Sequence, residues 1–247
     1  MAEQNKKTLH SAAGTGKTGN DAEYNPENVR ALEHSPLHGK KFIFLGSSVT
    51  LGMASEGISF VEYLEKRNGI VVTAKDAVSG TTLVKTGKDS YIERMEKNLA
   101  AAAGPDLFMC QLSTNDAGLN LPLGCISASM RKKDFDIMTV CGALEYIIVR
   151  AKEMWNCPVV FYTNPRYLNE AYKAMVDALL GLREKWGIGV IDLWNDDTFN
   201  AIDDAHRRLY MADAIHPLKA GYLQWWTPRM EEYLYAFMKN CTREASL

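Results

Sequence analysis

No stretch of this chain approaches 18 consecutive apolar residues, and its first fourteen residues, MAEQNKKTLHSAAG, hold no apolar segment such as a secretory signal needs. Neither a membrane-spanning helix nor a signal peptide is expected, and the expected location is the cytoplasm. Neither sign of charge dominates: 28 Lys and Arg stand against 30 Asp and Glu, a formal net charge of −2. That leaves no basic surplus to attract nucleic acid or an anionic membrane. Cysteine is scarce and odd in number, five residues without a C-x-x-C pair: Cys110, Cys125, Cys141, Cys157 and Cys241. Three of them sit in apolar stretches, so buried reduced thiols are expected, not a disulfide framework or a metal cluster. The five histidines form no H-x-x-x-H or H-x-H pair, and His10, His34 and His38 fall in or beside a polar N-terminal stretch. A metal-hydrolase centre therefore has no ligand set.

Three motifs are incomplete. The stretch GTGKTG contains Gly16-Lys17-Thr18, but a phosphate-binding loop needs a glycine where this chain has Ser11, and an apolar strand before it. A dinucleotide fingerprint after KFIFLG is absent, because Gly46 is followed by Ser47, Ser48 and Val49. The nucleophile elbow G-x-S-x-G would need glycine where Thr50 stands.

What is present is a regular alternation. Residues 1–40 are polar and read as a flexible or surface-draped extension, residues 241–247 as a short tail, and 41–240 as one domain. Within 41–240, apolar β-branched runs occur at 41–46, 70–74, 106–112, 158–163 and 188–193. Helical periodicity lies between them, over 89–103 with Asp89 or Ser90 as N-cap, over 134–155, and over 168–186 with Asn169 as N-cap. A closing helix starts at Pro217, with a break near Pro228. Short apolar strands alternating with amphipathic helices predict a doubly wound α/β domain around a five-stranded parallel sheet.

Such sheets bind ligands at the carboxyl ends of their strands. Gly46-Ser47-Ser48 follows the first run, DAVSGTT with Gly80 the second, and STND with Asn115 and Asp116 the third. DAIHP, with Asp213 and His216, precedes the closing helix. Singly, each has an ordinary explanation: a turn or cap for the serines, a turn at Gly80, an Asx-turn at Asn115, a cap at Asp213. Together they supply a hydroxyl, an imidazole, a carboxylate and oxyanion donors. A serine needs an imidazole to take its proton, the imidazole needs an orienting acceptor, and the tetrahedral intermediate needs donors.

In this order and spacing, GSSVT, SGTT, STND and DAIHP resemble the blocks of the SGNH (GDSL-type) hydrolases. The resemblance covers about 41–225. It implies a flavodoxin-like three-layer α/β/α sandwich and ester hydrolysis through an acyl-enzyme, with no metal or organic cofactor and a small-molecule ester as substrate. Carried over, Ser48 is the nucleophile, His216 the base and Asp213 its partner, while the Ser48 and Gly80 N–H groups and the Asn115 side chain form the oxyanion hole. Ser47 stands where the family usually has Asp, and Ser113 where it usually has Gly. Acyl transfer to an alcohol by the same triad, and non-catalytic carbohydrate or ligand binding on the same fold, stay open, and homo-oligomerisation is compatible with either. Arg166 and Tyr167, with Tyr162, Trp225 and Trp226, are candidates to line the substrate site, against an equal reading of the rings as core.

Overall fold

The five apolar runs form β1 (Lys41–Gly46), β2 (Val71–Ala77), β3 (Leu107–Gln111), β4 (Val159–Tyr162) and β5 (Gly189–Ile191). All pair in parallel, in the order β2-β1-β3-β4-β5. The computed structural model describes residues 18–87 and 89–244, so Gly16-Lys17 of the GTGKTG stretch lies outside the described residues. The second strand continues past the expected end at 74, because Leu45 and Gly46 of β1 pair with Asp76 and Ala77. Polar residues are tolerated there because β2 is an edge strand.

The helices are α1 (Ser48–Leu51), α2 (Phe60–Asn68), α3 (Tyr91–Arg94), α4 (Thr114–Gly118), α5 (Val140–Trp155), α6 (Glu170–Trp186), α7 (Asp197–Asn200), α8 (Asp204–Tyr210), α9 (Lys219–Gly221) and α10 (Thr227–Glu244). Ser90 caps α3 by accepting the Glu93 N–H at 3.3 Å, and Asn169 caps α6 by accepting the Tyr172 N–H at 2.8 Å. Helix α5 starts at Val140, not at 134, because Thr139 adopts an extended conformation and caps Gly142. Residues 132–134 form a separate 3₁₀ turn.

The closing helix does not break at Pro228. Helix α9 passes through a π turn, Tyr222–Trp226, directly into α10. Pro228 has no N–H for an i−4 carbonyl, and a widened turn just before it relieves that mismatch. Pro217 lies outside the helix, in an isolated antiparallel bridge with Met211.

Strand alternation separates two cores. Ile43, Leu45, Phe108, Cys110 and Phe161 face α5 and α6, packing with Leu144, Ile147, Val176 and Leu179. Phe42, Phe44, Met109, Val160 and Tyr162 face α2 and α10, packing with Phe60, Tyr63, Trp226, Met230 and Leu234. Burial of each large apolar side chain contributes roughly 1.5–3 kcal/mol. Residues 18–40 lie against the second core: Tyr24 and Leu37 are buried in it, and the buried Lys219 ammonium reaches the Asn25 side-chain oxygen at 2.8 Å and the Glu56 carboxylate at 2.5 Å. Cys110, Cys141 and Cys157 are buried and free, whereas Cys125 is exposed.

Candidate active site

With this strand order, β1 connects outward to β2 on one side while β3 lies on its other side, so the chain reverses its winding between β1 and β3. A crevice opens at the carboxyl ends of strands flanking such a point. Ser47 and Ser48 follow β1 there, and Ser113, Asn115 and Asp116 follow β3.

The turn after β1 is held by one side chain from β3. The buried Gln111 Oε1 accepts the Ser47 N–H at 2.9 Å, the Thr50 N–H at 3.2 Å, the Thr50 hydroxyl at 2.8 Å and the Ser47 hydroxyl at 3.3 Å. Thr50 Oγ1 also lies 2.5 Å from the Tyr162 hydroxyl. Gly46 is required by this close approach, since a Cβ would overlap the Thr50 side chain and lie 2.9 Å from Gln111 Oε1. Ser48 follows as the first residue of α1, so its own N–H is among the first-turn donors that no helical carbonyl accepts.

The buried Arg94 ties the ends of β1 and β2 together. Its guanidinium pairs with Asp76, donates to the Gly46 carbonyl at 2.8 Å and to Thr81 Oγ1 at 3.1 Å, and its Nε donates to the Asp89 carbonyl at 3.0 Å. The loop carrying Gly80 is fastened on both sides. The Val78 N–H reaches the Gly46 carbonyl at 3.3 Å, and the Thr81 carbonyl accepts the Asn115 amide at 2.8 Å and the Ser113 hydroxyl at 3.2 Å. Asp116, fully buried, accepts the Leu83 and Val84 N–H groups at 2.9 and 3.0 Å. Burial raises the Asp116 carboxyl above its ordinary value, and these hydrogen bonds oppose the rise only in part. Gly80 has φ +78° with open space where a Cβ would be, so its left-handed backbone, not lack of room, is the reason for glycine.

The DAIHP loop is framed by the Met211–Pro217 bridge and by the Ala212 N–H bonding the His216 carbonyl at 2.9 Å. Asp213 Oδ1 accepts the Ile215 and His216 N–H groups at 2.7 and 2.8 Å, an Asx-type turn. Asp213 Oδ2 lies 2.8 Å from His216 Nδ1, and His216 Nε2 lies 2.9 Å from Ser48 Oγ. Partial burial would raise the Asp213 carboxyl, but the His216 ring and the two backbone N–H groups outweigh it and hold it below the usual carboxylate range. An ionised carboxylate only accepts, so the neutral imidazole carries its proton on Nδ1 and presents Nε2 as acceptor to the Ser48 hydroxyl. From the far side, Asn164 supports the loop by donating to the Ile215 carbonyl at 2.9 Å.

Ser48, His216 and Asp213 are thus brought into one chain, and Asn115 and the Gly80 loop are joined beside it. Arg166 and Tyr167 lie in the loop after β4, where the Arg166 guanidinium pairs with Asp197 at 2.8 Å. Tyr162, Trp225 and Trp226 are buried core rings, which removes them as substrate-lining residues. Gln111, Arg94 and Asn164 carry much of the support; no local spacing in the sequence marks them, apart from a glutamine ending an apolar strand. Among the described residues no three His, Cys, Asp or Glu side chains converge as a metal site would need, and no helix is long and apolar enough to cross a membrane.

Residues 44–223 match the family described as GDSL-like Lipase/Acylhydrolase. Among solved structures, the fold is similar to a protein from Lactobacillus plantarum (TM-score 0.63, 20% identity, 82% of this chain and 98% of that one). It is also similar to the lipase/acylhydrolase from Enterococcus faecalis (TM-score 0.55, 18% identity, 80% and 96%). An acetyl xylan esterase shares it too (TM-score 0.54, 15% identity, 78% and 98%). No curated protein matches the sequence.

Proposed function

The chain belongs to the GDSL-like lipase/acylhydrolase family, and we propose that within it this protein is a serine esterase that hydrolyses small acyl esters, acetyl or short-chain, through an acyl-enzyme. The observation that carries the reading is the continuous relay from Ser48 Oγ to His216 Nε2 at 2.9 Å and from His216 Nδ1 to Asp213 at 2.8 Å.

In the proposed reaction His216 Nε2 takes the Ser48 proton as Oγ attacks the ester carbonyl. Asp213 holds the ring in the required tautomer and stabilises the imidazolium that forms. The negative oxygen of the tetrahedral intermediate is received by the Ser48 N–H, the Gly80 N–H and the Asn115 amide. Asn115 has two amide hydrogens, of which the bond to the Thr81 carbonyl uses one and fixes the aim of the other. Each such donor is worth about 3–4 kcal/mol of barrier. His216 then protonates the leaving alcohol, a water enters, and the same imidazole activates it to release the acid. O-acetylated carbohydrates fall within the proposed substrate class, and an acetyl xylan esterase has a similar fold.

The test is turnover of 4-nitrophenyl acetate by the wild type, Ser48→Ala and His216→Ala, with fluorophosphonate labelling of Ser48 as the second readout. Each variant is expected to lose at least about 10³-fold in kcat. Near-wild-type turnover by either one overturns the assignment.

A further inference from the structure

Beside the proposed relay, on the Asp213 side, lies an open cleft of about 450 Å³ whose wall includes Arg166, Tyr167, Arg207, Arg208, Met211 and Asp213. Its charge is one-sided. Asp213 is the single acid of that wall, and its carboxylate is already engaged by the His216 ring and two backbone N–H groups. Arg207 and Arg208 stand exposed on α8. Neither makes an ion pair among the described residues: Asp203, one turn earlier, is taken by His206 at 2.9 Å, and Asp204 is not paired with Arg208. Arg166 is anchored by its Nε to the Trp194 carbonyl at 3.2 Å and by one terminal nitrogen to Asp197 at 2.8 Å.

Cations near the end of a helix offset its dipole, which accounts for basic residues late in α8. It does not account for two unpaired guanidinium groups and a third, anchored one around a concave surface with an apolar component from Tyr167 and Met211. Planar forked donors beside apolar surface suit an anionic oxygen group carried on a small organic body. On a chain whose net charge is −2, this concentration is local, not a general basicity.

We propose that this cleft is the specificity subsite of the esterase, and that the preferred substrate is an ester bearing an anionic oxyacid group several bonds from the scissile carbonyl. The proposal rests on the esterase reading above. The separation follows from the geometry: Ser48 meets one nitrogen of the imidazole and Asp213 the other, so the anion binds a relay's length away from the nucleophile. An acetate or butyrate of a neutral alcohol leaves the cleft unfilled, while a half-ester of a dicarboxylic acid or an ester of a carboxylated alcohol reaches it.

Matched ester pairs test this: 4-nitrophenyl valerate against 4-nitrophenyl hemiglutarate for an anion on the acyl side, and phenyl acetate against 4-carboxyphenyl acetate for one on the alcohol side. Each rate is divided by that ester's rate of alkaline hydrolysis. In at least one pair the anionic ester is expected to show a kcat/KM at least tenfold above its neutral partner. That ratio should shrink as NaCl is raised. It should fall to within twofold of one in Arg207→Gln/Arg208→Gln, and persist in the control Arg30→Gln, an exposed arginine paired with Glu33. A ratio near one in both pairs, or a ratio the double variant retains, overturns the proposal. Calorimetric binding of glutaranilic acid against valeranilide, and of 4-acetamidobenzoic acid against acetanilide, reads the subsite on the acyl and alcohol sides without hydrolysis. No preference for the anionic member in either amide pair sinks the subsite, whereas unchanged turnover in Ser48→Ala sinks the esterase reading.

Discussion

The Gln111 side-chain carbonyl lies 2.8 Å from the Thr50 hydroxyl and gathers three more donors from the same turn. A single acceptor on β3 therefore sets the backbone of the turn that presents Ser48, which links the sheet core to the proposed nucleophile without touching it. The Gln111 amide nitrogen is itself buried with no partner among the described residues. Replacing Gln111 with Leu would strand buried N–H groups, and we expect a loss of about 2–3 kcal/mol in unfolding free energy. Gln111→Glu keeps the acceptor and should retain more stability than Gln111→Leu. Urea denaturation of both variants measures the difference, and equal losses would mean that the acceptor is not what matters.

Ser47 occupies the position where the resemblance leads one to expect Asp. Its hydroxyl makes the longest of the four contacts to Gln111, at 3.3 Å, whereas its N–H makes the firmer one at 2.9 Å. Ser47→Ala keeps the N–H, so it should retain most of the proposed esterase activity. Ser47→Asp places a carboxylate in a fully buried position against the Gln111 carbonyl oxygen, and should lower both stability and kcat. Loss of all turnover in Ser47→Ala, on 4-nitrophenyl acetate, would move the nucleophile assignment away from Ser48.

The parts of this molecule that could be read from sequence are those written in short, local spacings. The run KFIFLG followed by two serines, the Asn169 cap and the Asp-x-x-His spacing each carry their geometry within a few residues. Asp213 meets His216 across one turn because three residues separate them. Arg94 shows the opposite. Within an amphipathic helical pattern an arginine reads as a solvated face, and it turns inward only because the sheet brings Asp76 and the Gly46 carbonyl beneath it. The apolar periodicity runs ahead of the start of α5 for a related reason: Phe135 and Ile137 pack against the same core as the helix and extend its pattern backwards. The rings of Tyr162, Trp225 and Trp226 belong to the core only because the closing helix packs against the sheet, a long-range contact that no local pattern encodes.

Asn164 joins the loop after β4 to the residue preceding His216, and its Oδ1 is buried without a partner among the described residues. It touches no reacting atom, so in the proposed relay it would act as a positioning residue for the imidazole. Asn164→Ala should lower kcat about tenfold while leaving KM for 4-nitrophenyl acetate nearly unchanged, at a cost in stability of about 1 kcal/mol. A parallel rise in KM with unchanged kcat would show that the loop after β4 serves substrate binding instead.

Asp213 offers a test by pH. Its carboxyl lies below the usual range in the folded protein, so the folded state binds this proton less readily than the unfolded chain. The associated stabilisation is present above the unfolded value of about 3.9. It is lost as pH falls through the lower folded value. Asp213→Asn removes that contribution, and the asparagine amide cannot accept the Nδ1 proton through both of its atoms as the carboxylate does. The stability difference between wild type and Asp213→Asn should therefore shrink on acidification below about pH 4. At pH 7 the variant should also lose about 10⁴-fold in kcat, as expected when the imidazole takes the wrong tautomer. Thermal unfolding across pH 3 to 7, paired with turnover at pH 7, measures both. A stability difference that grows on acidification would contradict the depressed carboxyl, and near-wild-type turnover would remove Asp213 from the relay.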